Sequence, residues 1–312
     1  MCRVVSTAET LPSRQDRKAS AWSPVALRLV EVRQSVQRSR TVSHAFLRVT
    51  THVVERLIGR PRLVKLCRLM TNESRLDAPN DIASNGEQMV QRATLLATAP
   101  VVLDVGAHYG EWSTSLLAQS GQRPTLHLFE PSSHSANIAR TAMAEQGTVH
   151  TMALSDAVGT GELLIVHAGA GSNSVVKFSD PTKHSGETES VVFTTVDLFC
   201  EAEGIERVRL LKIDAEGHDL SVIRGASSMI RMRNIEMVQF EYNHRWIDAR
   251  VFLADAFEFF GRYGYQVGKI TPRGIEIYDQ WHPELEKFVE ANYLAFLPHL
   301  RVDFPTIAWW GP

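Results

Sequence analysis

The sequence has no run of about 18 consecutive apolar residues, the minimum length with which a helix crosses a bilayer. It has only 3 cysteines in 312 residues, and Cys2, Cys67 and Cys200 share no short spacing, which argues against a disulfide framework or a CxxC metal site. The first residues also lack the apolar segment of a secretory signal. These absences predict a cytoplasmic protein with reduced cysteines and no transmembrane segment.

Charge is nearly balanced overall but unevenly distributed along the chain. The formal net charge is -2, yet residues 1–70 hold 14 Lys and Arg against 4 Asp and Glu, whereas the remainder holds 19 against 31. A basic leader of this kind can contact nucleic acid, an anionic membrane surface or the acidic remainder of its own chain. Composition leaves these three alternatives open.

The leader combines an aperiodic start with a helical pattern. Residues 1–24 are rich in Ser, Thr, Arg and Pro and predict a mobile tail. An apolar stripe at helical spacing then predicts a helix that ends near Gly59: Val42, Phe46, Val49, Val53 and Leu57. Such a helix either packs on the rest of the protein or makes peripheral contact with a membrane surface. We therefore predict a basic N-terminal extension over residues 1–75 and a catalytic domain over residues 76–312.

Beyond Pro100, short apolar segments alternate with longer amphipathic ones. The apolar segments read VVLDV, TLHLFE, VHTMAL, RVRLLKID and IEMVQFEY. Continuous apolar strands separated by helices predict an α/β protein with a doubly wound, mostly parallel sheet. A polar, glycine-rich insertion interrupts the pattern between Leu163 and Thr195, YQVGKIT and GIEIYD predict a hairpin, and YLAFLP is predicted to be the last strand.

The segment VVLDVGAHYGEWS predicts a glycine turn between the first strand and a helix, the place where doubly wound sheets bind cofactors. Counting from Gly106, His108 and Glu111 stand where the fingerprint G-x-G-x-x-G for dinucleotides requires glycine. No G-K-[ST] follows Gly110, so a P-loop is also excluded. The turn therefore predicts a ligand without phosphate groups.

S-adenosylmethionine fits these features, because its sulfonium and ammonium groups are cationic and it carries no phosphate. Asp104 can accept hydrogen bonds from the ammonium group, and Glu130, at the end of the second strand, stands at the spacing at which an acid binds ribose hydroxyls. Ser155 and Asp156 can accept from the adenine amino group, although a turn-forming role is the simpler explanation of Asp156. NAD would also use Glu130, so a nicotinamide-dependent oxidoreductase is the competing enzyme class.

The succession LDVGAHYGEWS, FEP, ALSDAVG, TTVDLF, LLKIDAEGHDLSVIRGA and QFEYN resembles the FkbM family of S-adenosylmethionine-dependent methyltransferases. The resemblance runs from about Val101 to Pro298, and KIDAEG is its most specific part. It implies a Rossmann-like fold of the class I methyltransferase type and O-methylation, often of sugar or polyketide hydroxyls. His108 stands where the family usually has Asn, and we count it with Gly106 and Gly110 among the cofactor-binding candidates.

The second half of the predicted site is acidic. Asp214 and Glu216 lie at and just beyond the end of one strand, and Glu241 lies at the end of the next, so parallel strands would bring them together. Oxygen ligands of this kind can bind Mg²⁺, which would activate an acceptor hydroxyl. Alternatively, one carboxylate or a nearby histidine is the general base. The catalytic candidates are Asp214, Glu216, Glu241 and His244.

These patterns lead to one principal hypothesis: an S-adenosylmethionine-dependent O-methyltransferase that acts on a hydroxyl of a sugar, glycolipid or secondary metabolite. A nucleic-acid acceptor is not expected, because no N-P-P-Y-like loop follows a predicted strand. The alternatives are a methyltransferase with a non-hydroxyl acceptor and a module that binds the cofactor without turnover.

Overall fold

The computed structural model describes residues 47–77, 80–167, 169–183 and 185–311. Its helices are residues 47–58 (α1), Arg60–Ser74 (α2), Glu87–Thr94 (α3), Glu111–Leu117 (α4), Ser133–Met143 (α5), Val196–Ala202 (α6), Asp219–Gly225 (α7), Ser227–Arg231 (α8), Arg245–Ala249 (α9) and Leu253–Arg262 (α10). Its strands are Val101–Val105 (β1), Thr125–Phe129 (β2), Thr148–His150 (β3), Ala153–Leu154 (β4), Gly159–Leu164 (β5), Thr188–Thr194 (β6), Val208–Ile213 (β7), Ile235–Tyr242 (β8), Gln266–Thr271 (β9), Gly274–Tyr278 (β10), Ala291–Phe296 (β11) and Thr306–Ala308 (β12). Within the described ranges, no helix is long and apolar enough to cross a membrane.

The expectations for the leader are only partly covered by these ranges. The predicted tail, Cys2, Val42 and Phe46 lie outside the described residues. The remaining apolar positions of the stripe belong to α1, which ends before Gly59, a residue with φ of 83°. The helix and its predicted end are therefore present, whereas its role and the division at residue 75 remain predictions.

A nine-stranded sheet organises the compact unit of residues 71–312. Its order is β12-β10-β9-β11-β8-β7-β1-β2-β3. The strands β8, β7, β1, β2 and β3 are parallel to one another. All six residues of β7 are buried, as expected for a central strand covered on both faces. The predicted α/β fold with a doubly wound, mostly parallel sheet is thus confirmed.

The connections reverse direction between β1 and β7. The chain moves from β1 outward to β2 and β3, and then returns to the other side of β1 to form β7 and β8. Because parallel crossovers are right-handed, the helices of the two halves lie on opposite faces of the sheet and leave a crevice at the strand ends between β1 and β7. The glycine turn after β1 and the KIDAEG turn after β7 both open onto this crevice.

Beyond β8 the sheet becomes mixed. Strand β11 is antiparallel to both β8 and β9, and β9 forms the predicted hairpin with β10. The prediction that YLAFLP is the last strand is wrong, because β12 follows and pairs in parallel with β10. A strand of three residues at the sheet edge has too little periodicity to be recognised from sequence.

The segment VHTMAL does not form one strand as predicted. Residues 148–150 pair with β2, but the chain then leaves the main sheet, and β4 pairs with β6 in a separate sheet of order β4-β6-β5. This small sheet has its own apolar cluster, which includes Ala153, Leu163 and Val191. Ser155 and Asp156 therefore follow a strand of the small sheet, not the third strand of the main sheet.

The start of α3 is fixed against the antiparallel half of the sheet. Its N-cap, Gly86, has φ of 101°, and a Cβ atom there would lie 2.2 Å from the carbonyl oxygen of Thr271 in β9. Glu87 follows in the first turn, where a carboxylate is favoured by the exposed N–H groups. This close approach places the first turn of α3 over the ends of β8, β9 and β11.

Candidate active site

A cleft of about 560 Å³, counting its mouth, opens at the carboxyl ends of β1, β2 and β7. Its walls come from the glycine turn, the end of β2, the KIDAEG turn and residues 170–175 of the insertion. Three carboxylates line it, from Glu130, Asp214 and Glu216, whereas none of the described residues that line it is Lys or Arg. The cleft is therefore electrostatically suited to a neutral or cationic ligand.

The glycine turn depends on close contact between main chains. Gly106 has φ of 71°, and a Cβ atom there would lie only 1.8 Å from the carbonyl oxygen of Asp214. The N–H groups of Gly106 and Ala107 both donate to the carbonyl of Phe129, at 2.9 and 3.1 Å. Gly110, with φ of 85°, then caps α4. Only glycine permits the turns after β1 and β7 to approach this closely.

His108 connects this turn to the insertion. Its φ of 49° is in the left-handed region, and its Nδ1 and Nε2 atoms lie 3.2 Å from Glu111 Oε1 and 3.1 Å from the carbonyl oxygen of Gly169. The hydroxyl of Tyr109 donates to the same carbonyl at 3.1 Å. His108 thus lines the cleft and contacts the insertion next to the residues that form the opposite wall.

Glu130 lies in the cleft wall with only 7% of its surface exposed. Its two carboxylate oxygens accept hydrogen bonds from the backbone N–H groups of Ser132, at 2.8 Å, and His108, at 2.9 Å. Burial nevertheless raises the pKa of this carboxyl to about 7. Each oxygen keeps a further lone pair with which to accept from a ligand hydroxyl.

Asp104 does not line the cleft, although its position in the sequence predicts a cofactor ligand. It is fully buried beneath the glycine turn, accepts a hydrogen bond from the Ser113 hydroxyl at 2.7 Å and lies 3.2 Å from Lys212 Nζ. Lys212 Nζ is also 3.6 Å from Asp214 Oδ2. Burial lowers the pKa of the Lys212 ammonium, but the two carboxylates outweigh it and hold that pKa above its usual value. Lys212 thus joins the two predicted halves of the site.

Ser155 and Asp156 also lie outside the cleft lining. The Ser155 hydroxyl is buried, donates to Asp156 Oδ1 at 3.1 Å and lies 2.9 Å from Nε2 of His218, while Asp156 is exposed. His218 does line the cleft, and burial lowers its pKa. The described contacts of Ser155 therefore reach the cleft through His218.

The three predicted catalytic carboxylates do come together. Oxygen atoms of Asp214, Glu216 and Glu241 all lie within 4.8 Å of one another. Burial raises the pKa of Glu216 to about 8, and burial together with the charge of Asp214 holds the pKa of Glu241 well above its usual range. The Asn243 amide donates to Glu241. His244, by contrast, is exposed at the start of α9 and does not line the cleft.

Sequence reasoning missed two residues that hold this acidic region in place. Asp219 is fully buried and accepts from the N–H groups of Ala215, at 3.1 Å, and Gly217, at 3.0 Å, which fixes the KIDAEG turn. Arg245 is buried, donates to the carbonyl of Val176 at 3.1 Å and lies 3.9 Å above the ring of Phe178. It thereby attaches the insertion to the segment that follows β8. Local sequence patterns do not predict a contact between residues so far apart in the chain.

The sheet and its glycine turn place the chain among the doubly wound α/β proteins, and comparison with known families narrows this class. A family model for the methyltransferase FkbM domain matches residues 104–267, slightly more than half of the chain. The chain belongs to this family, as its motifs indicate. No curated protein matches it significantly.

Solved structures with similarity to the chain include three methyltransferases. An FkbM methyltransferase from Methylobacillus flagellatus KT aligns at 16% identity and a TM-score of 0.40, over 64% of this chain and 44% of the other, so this chain spans less than half of that protein. Precorrin-6y C5,15-methyltransferase from Geobacter metallireducens aligns at 13% identity and a TM-score of 0.36, over 70% and 92%. TrmK from M. capricolum, in complex with S-adenosyl-homocysteine, aligns at 8% identity and a TM-score of 0.38, over 72% and 71%.

Proposed function

We propose that the protein methylates a hydroxyl group of a sugar, glycolipid or secondary metabolite, with S-adenosylmethionine as the methyl donor. The observation that carries this proposal is the acidic lining of the cleft: the carboxyl groups of Glu130, Asp214 and Glu216 and, among the described lining residues, neither Lys nor Arg. A phosphate-bearing cofactor would meet repulsion there, whereas a sulfonium with an ammonium group is attracted.

The residues of the cleft fit this donor. The close main-chain contact at Gly106 leaves a side-chain-free cradle at the switch point, and the buried Glu130 carboxylate is placed to accept from ribose hydroxyls. We assign Gly106, His108 and Glu130, which line the cleft, to direct cofactor binding, and Gly110 to the start of α4. We assign Asp104 to support of the turn through Lys212, and Ser155 and Asp156 to support of His218. When bound, the donor supplies an electrophilic methyl group on sulfur.

The protein must then receive the proton of the acceptor hydroxyl. We propose that a carboxylate oxygen of Asp214 takes this proton, because Lys212 Nζ lies 3.6 Å from Oδ2 and stabilises the negative charge on this side chain. Glu216 and Glu241, with raised pKa values, are suited to remain protonated near neutrality and to donate hydrogen bonds to the acceptor oxygen. His244 is too exposed to serve unless the acceptor covers it.

A divalent cation is the alternative use of the same carboxylates. Three oxygen ligands within 4.8 Å of one another suit Mg²⁺, and a bound cation would favour the ionised forms of Glu216 and Glu241. The two schemes differ in a simple measurement. If the proton-acceptor scheme holds, turnover is unchanged by EDTA; if the cation scheme holds, EDTA abolishes turnover and Mg²⁺ restores it.

We further propose that residues 1–75 act separately from catalysis, in a protein that works in the cytoplasm. Residues 1–70 carry a net charge of +10 against -12 for the remainder, which suits peripheral contact with an anionic membrane surface. Removal of residues 1–40 should leave cofactor affinity unchanged by calorimetry, because the cofactor motifs begin near Val101. A large loss of affinity would contradict this division.

Isothermal calorimetry with S-adenosylhomocysteine, with NADH as the control, tests the donor. We expect micromolar binding of the first ligand alone. Transfer of labelled methyl groups to neutral hydroxylated acceptors then tests the reaction. Binding without transfer to any acceptor would favour a cofactor-binding module, transfer to nitrogen or carbon would contradict O-methylation, and binding of NADH alone would favour an oxidoreductase.

A further inference from the structure

A second, much smaller pocket opens at the same edge of the sheet as the cofactor cleft. Strand β11 is antiparallel to β8, so its first residues meet the carboxyl end of β8, and Asn292 pairs with Glu241. Glu290 and Asn292 form one wall of the cavity, and Asn80 and Asn85, from the loop before α3, form another. We call this cavity the amide pocket.

The amide side chains of the pocket are held in place by a buried carboxylate. Glu87, only 3% exposed, accepts hydrogen bonds through Oε1 from the amides of Asn85, at 2.6 Å, and Asn292, at 3.2 Å. Its Oε2 atom accepts from the Gln239 amide at 2.6 Å. Burial raises the pKa of Glu87. Groups that are fixed in this way present donors and acceptors in a defined arrangement, as recognition of several hydroxyl groups requires.

The charge of the amide pocket restricts the ligand further. Lys269 is the one cation among its described lining residues, and its ammonium is already committed to Asp77 Oδ1 at 2.8 Å. Asp77 also pairs with Lys287, at 2.9 Å. Glu290 adds an exposed carboxyl whose pKa is raised by partial burial and by the charge of Asp214. A phosphate or carboxylate group would find no uncommitted cation here and would be repelled by Glu290.

The amide pocket is within reach of the cofactor cleft. Asn292 is one strand away from Glu241, whose carboxylate lies within 4.8 Å of those of Asp214 and Glu216 at the cleft wall. Adjacent strands are about 4.8 Å apart, so β11 and β7 are separated by roughly 10 Å. One or two sugar rings cover this distance.

We propose that the amide pocket binds the part of the acceptor that is remote from the methylated hydroxyl, and that the acceptor is an uncharged polyhydroxylated compound such as a glycoside. This inference rests on the proposed function, and it selects a neutral carbohydrate over phosphate-bearing acceptors. Asn85 and Asn292 hydrogen-bond to acceptor hydroxyls, and Glu290 accepts from a further hydroxyl at the mouth.

Saturation-transfer NMR with the full chain and saturating S-adenosylhomocysteine tests the proposal. The probes are methyl glycosides of glucose, galactose, mannose and rhamnose, each compared with glucose 6-phosphate and glucuronic acid. We expect a signal from at least one neutral glycoside and none from the two anions. Asn292→Ala and Glu290→Gln should each reduce that signal at least fivefold, whereas Asn137→Ala, on the exposed side of α5, should leave it unchanged.

Calorimetry on the same samples separates failure of the amide pocket from failure of the proposed donor. If S-adenosylhomocysteine binds but no neutral glycoside does, or if the anions bind as well as the glycosides, the amide pocket is wrongly assigned and the proposed donor stands. The pocket is equally wrongly assigned if both pocket variants keep the full signal. If S-adenosylhomocysteine itself fails to bind, the proposed function fails first. Glu290→Gln changes an exposed residue, so a folding defect in Asn292→Ala would still leave the test decisive.

Discussion

The two sides of β7 form their parts of the site by different means. On the side of β1 and β2, main-chain atoms position the site residues. Gly106 packs against the carbonyl of Asp214, and two backbone N–H groups donate to the Glu130 carboxylate. On the side of β8 and β11, side chains hold side chains, as Glu87 does with Asn85 and Asn292. The first arrangement tolerates little variation, whereas the second can change one residue at a time. This difference suits a fixed donor and a variable acceptor.

The substitution with the largest expected effect tests whether Asp104 contacts the cofactor or stabilises the fold. Asp104→Ala removes the closer anionic partner of the buried Lys212, and breaking a buried pair in this way costs about 3–5 kcal/mol of the free energy of unfolding. Denaturant unfolding measures this loss. The double variant Asp104→Leu/Lys212→Met should recover most of it, because both buried charges of the pair are then absent. Unchanged stability with weakened S-adenosylhomocysteine binding would instead return Asp104 to the cofactor contacts.

A second substitution tests Asp214, which follows β7, the strand between the two sides of the site. Asp214→Asn keeps the shape of the side chain but removes the proposed proton acceptor, so kcat should fall about 100-fold. Affinity for S-adenosylhomocysteine should change less than about threefold, because the change falls on the reacting proton and not on the donor. Asp279→Asn, at an exposed acid outside the cleft, is the matched control. If the variant lost affinity for S-adenosylhomocysteine but kept its kcat, Asp214 would be a donor-binding residue and not the proton acceptor.

A smaller effect is expected at Glu130. Glu130→Gln should weaken S-adenosylhomocysteine binding about tenfold, since a neutral amide accepts hydroxyl hydrogen bonds less strongly than a carboxylate. Burial raises the pKa of Glu130 to about 7, so the ionised fraction grows from pH 6 to pH 8 and wild-type affinity should grow with it. Calorimetry across this range should show no such rise for the Gln variant. An equal rise in both proteins would assign the pH dependence to another group.

The smallest expected effect is a change of thermal stability with pH, caused by two histidines on β2 and β3 at the edge of the main sheet. His127 on β2 and His150 on β3 face each other, with 3.2 Å between Nδ1 and Nε2, and burial lowers the pKa of both below the usual 6.5. Their contribution to stability is therefore complete above pH 6.5 and is lost as the pH falls below it toward the lowered pKa values. We expect a Tm decrease of about 2–4 °C on acidification, reduced in His150→Phe. An equal Tm decrease in both proteins would show that the histidine pair is not the cause of the pH dependence.

The donor side of the molecule was open to prediction from the sequence because its signals are local. Strands β1, β2, β7 and β8 read as short apolar runs, since both faces of the sheet are covered, and each run ends in the residues that meet at the crevice. Gly106, His108, Glu130, Asp214 and Glu216 accordingly line one cleft.

Where prediction failed, the determining contact is distant in the chain. Strand β4 has only two residues and exists because β6 pairs with it about forty residues later, so VHTMAL could not be divided correctly. In the sequence, Asp104 resembles an acid at a strand end that faces a ligand. In the structure it is paired with Lys212 from β7, a contact that the sequence around Asp104 does not reveal. The amide pocket joins residues about 200 apart and has no motif, although Asn85, Gly86 and Glu87 form an ordinary helix start that could have revealed α3.

Gly106 has a consequence for anyone who wishes to redesign this enzyme. The turn after β1 and the turn after β7 touch through main-chain atoms at Gly106, so a shift of one turn displaces the other. A new acceptor therefore has to be accommodated from outside this pair, through the loop before α3 and the start of β11. A library that randomises Asn80, Asn85, Glu290 and Asn292 would explore specificity while the donor cradle keeps its shape.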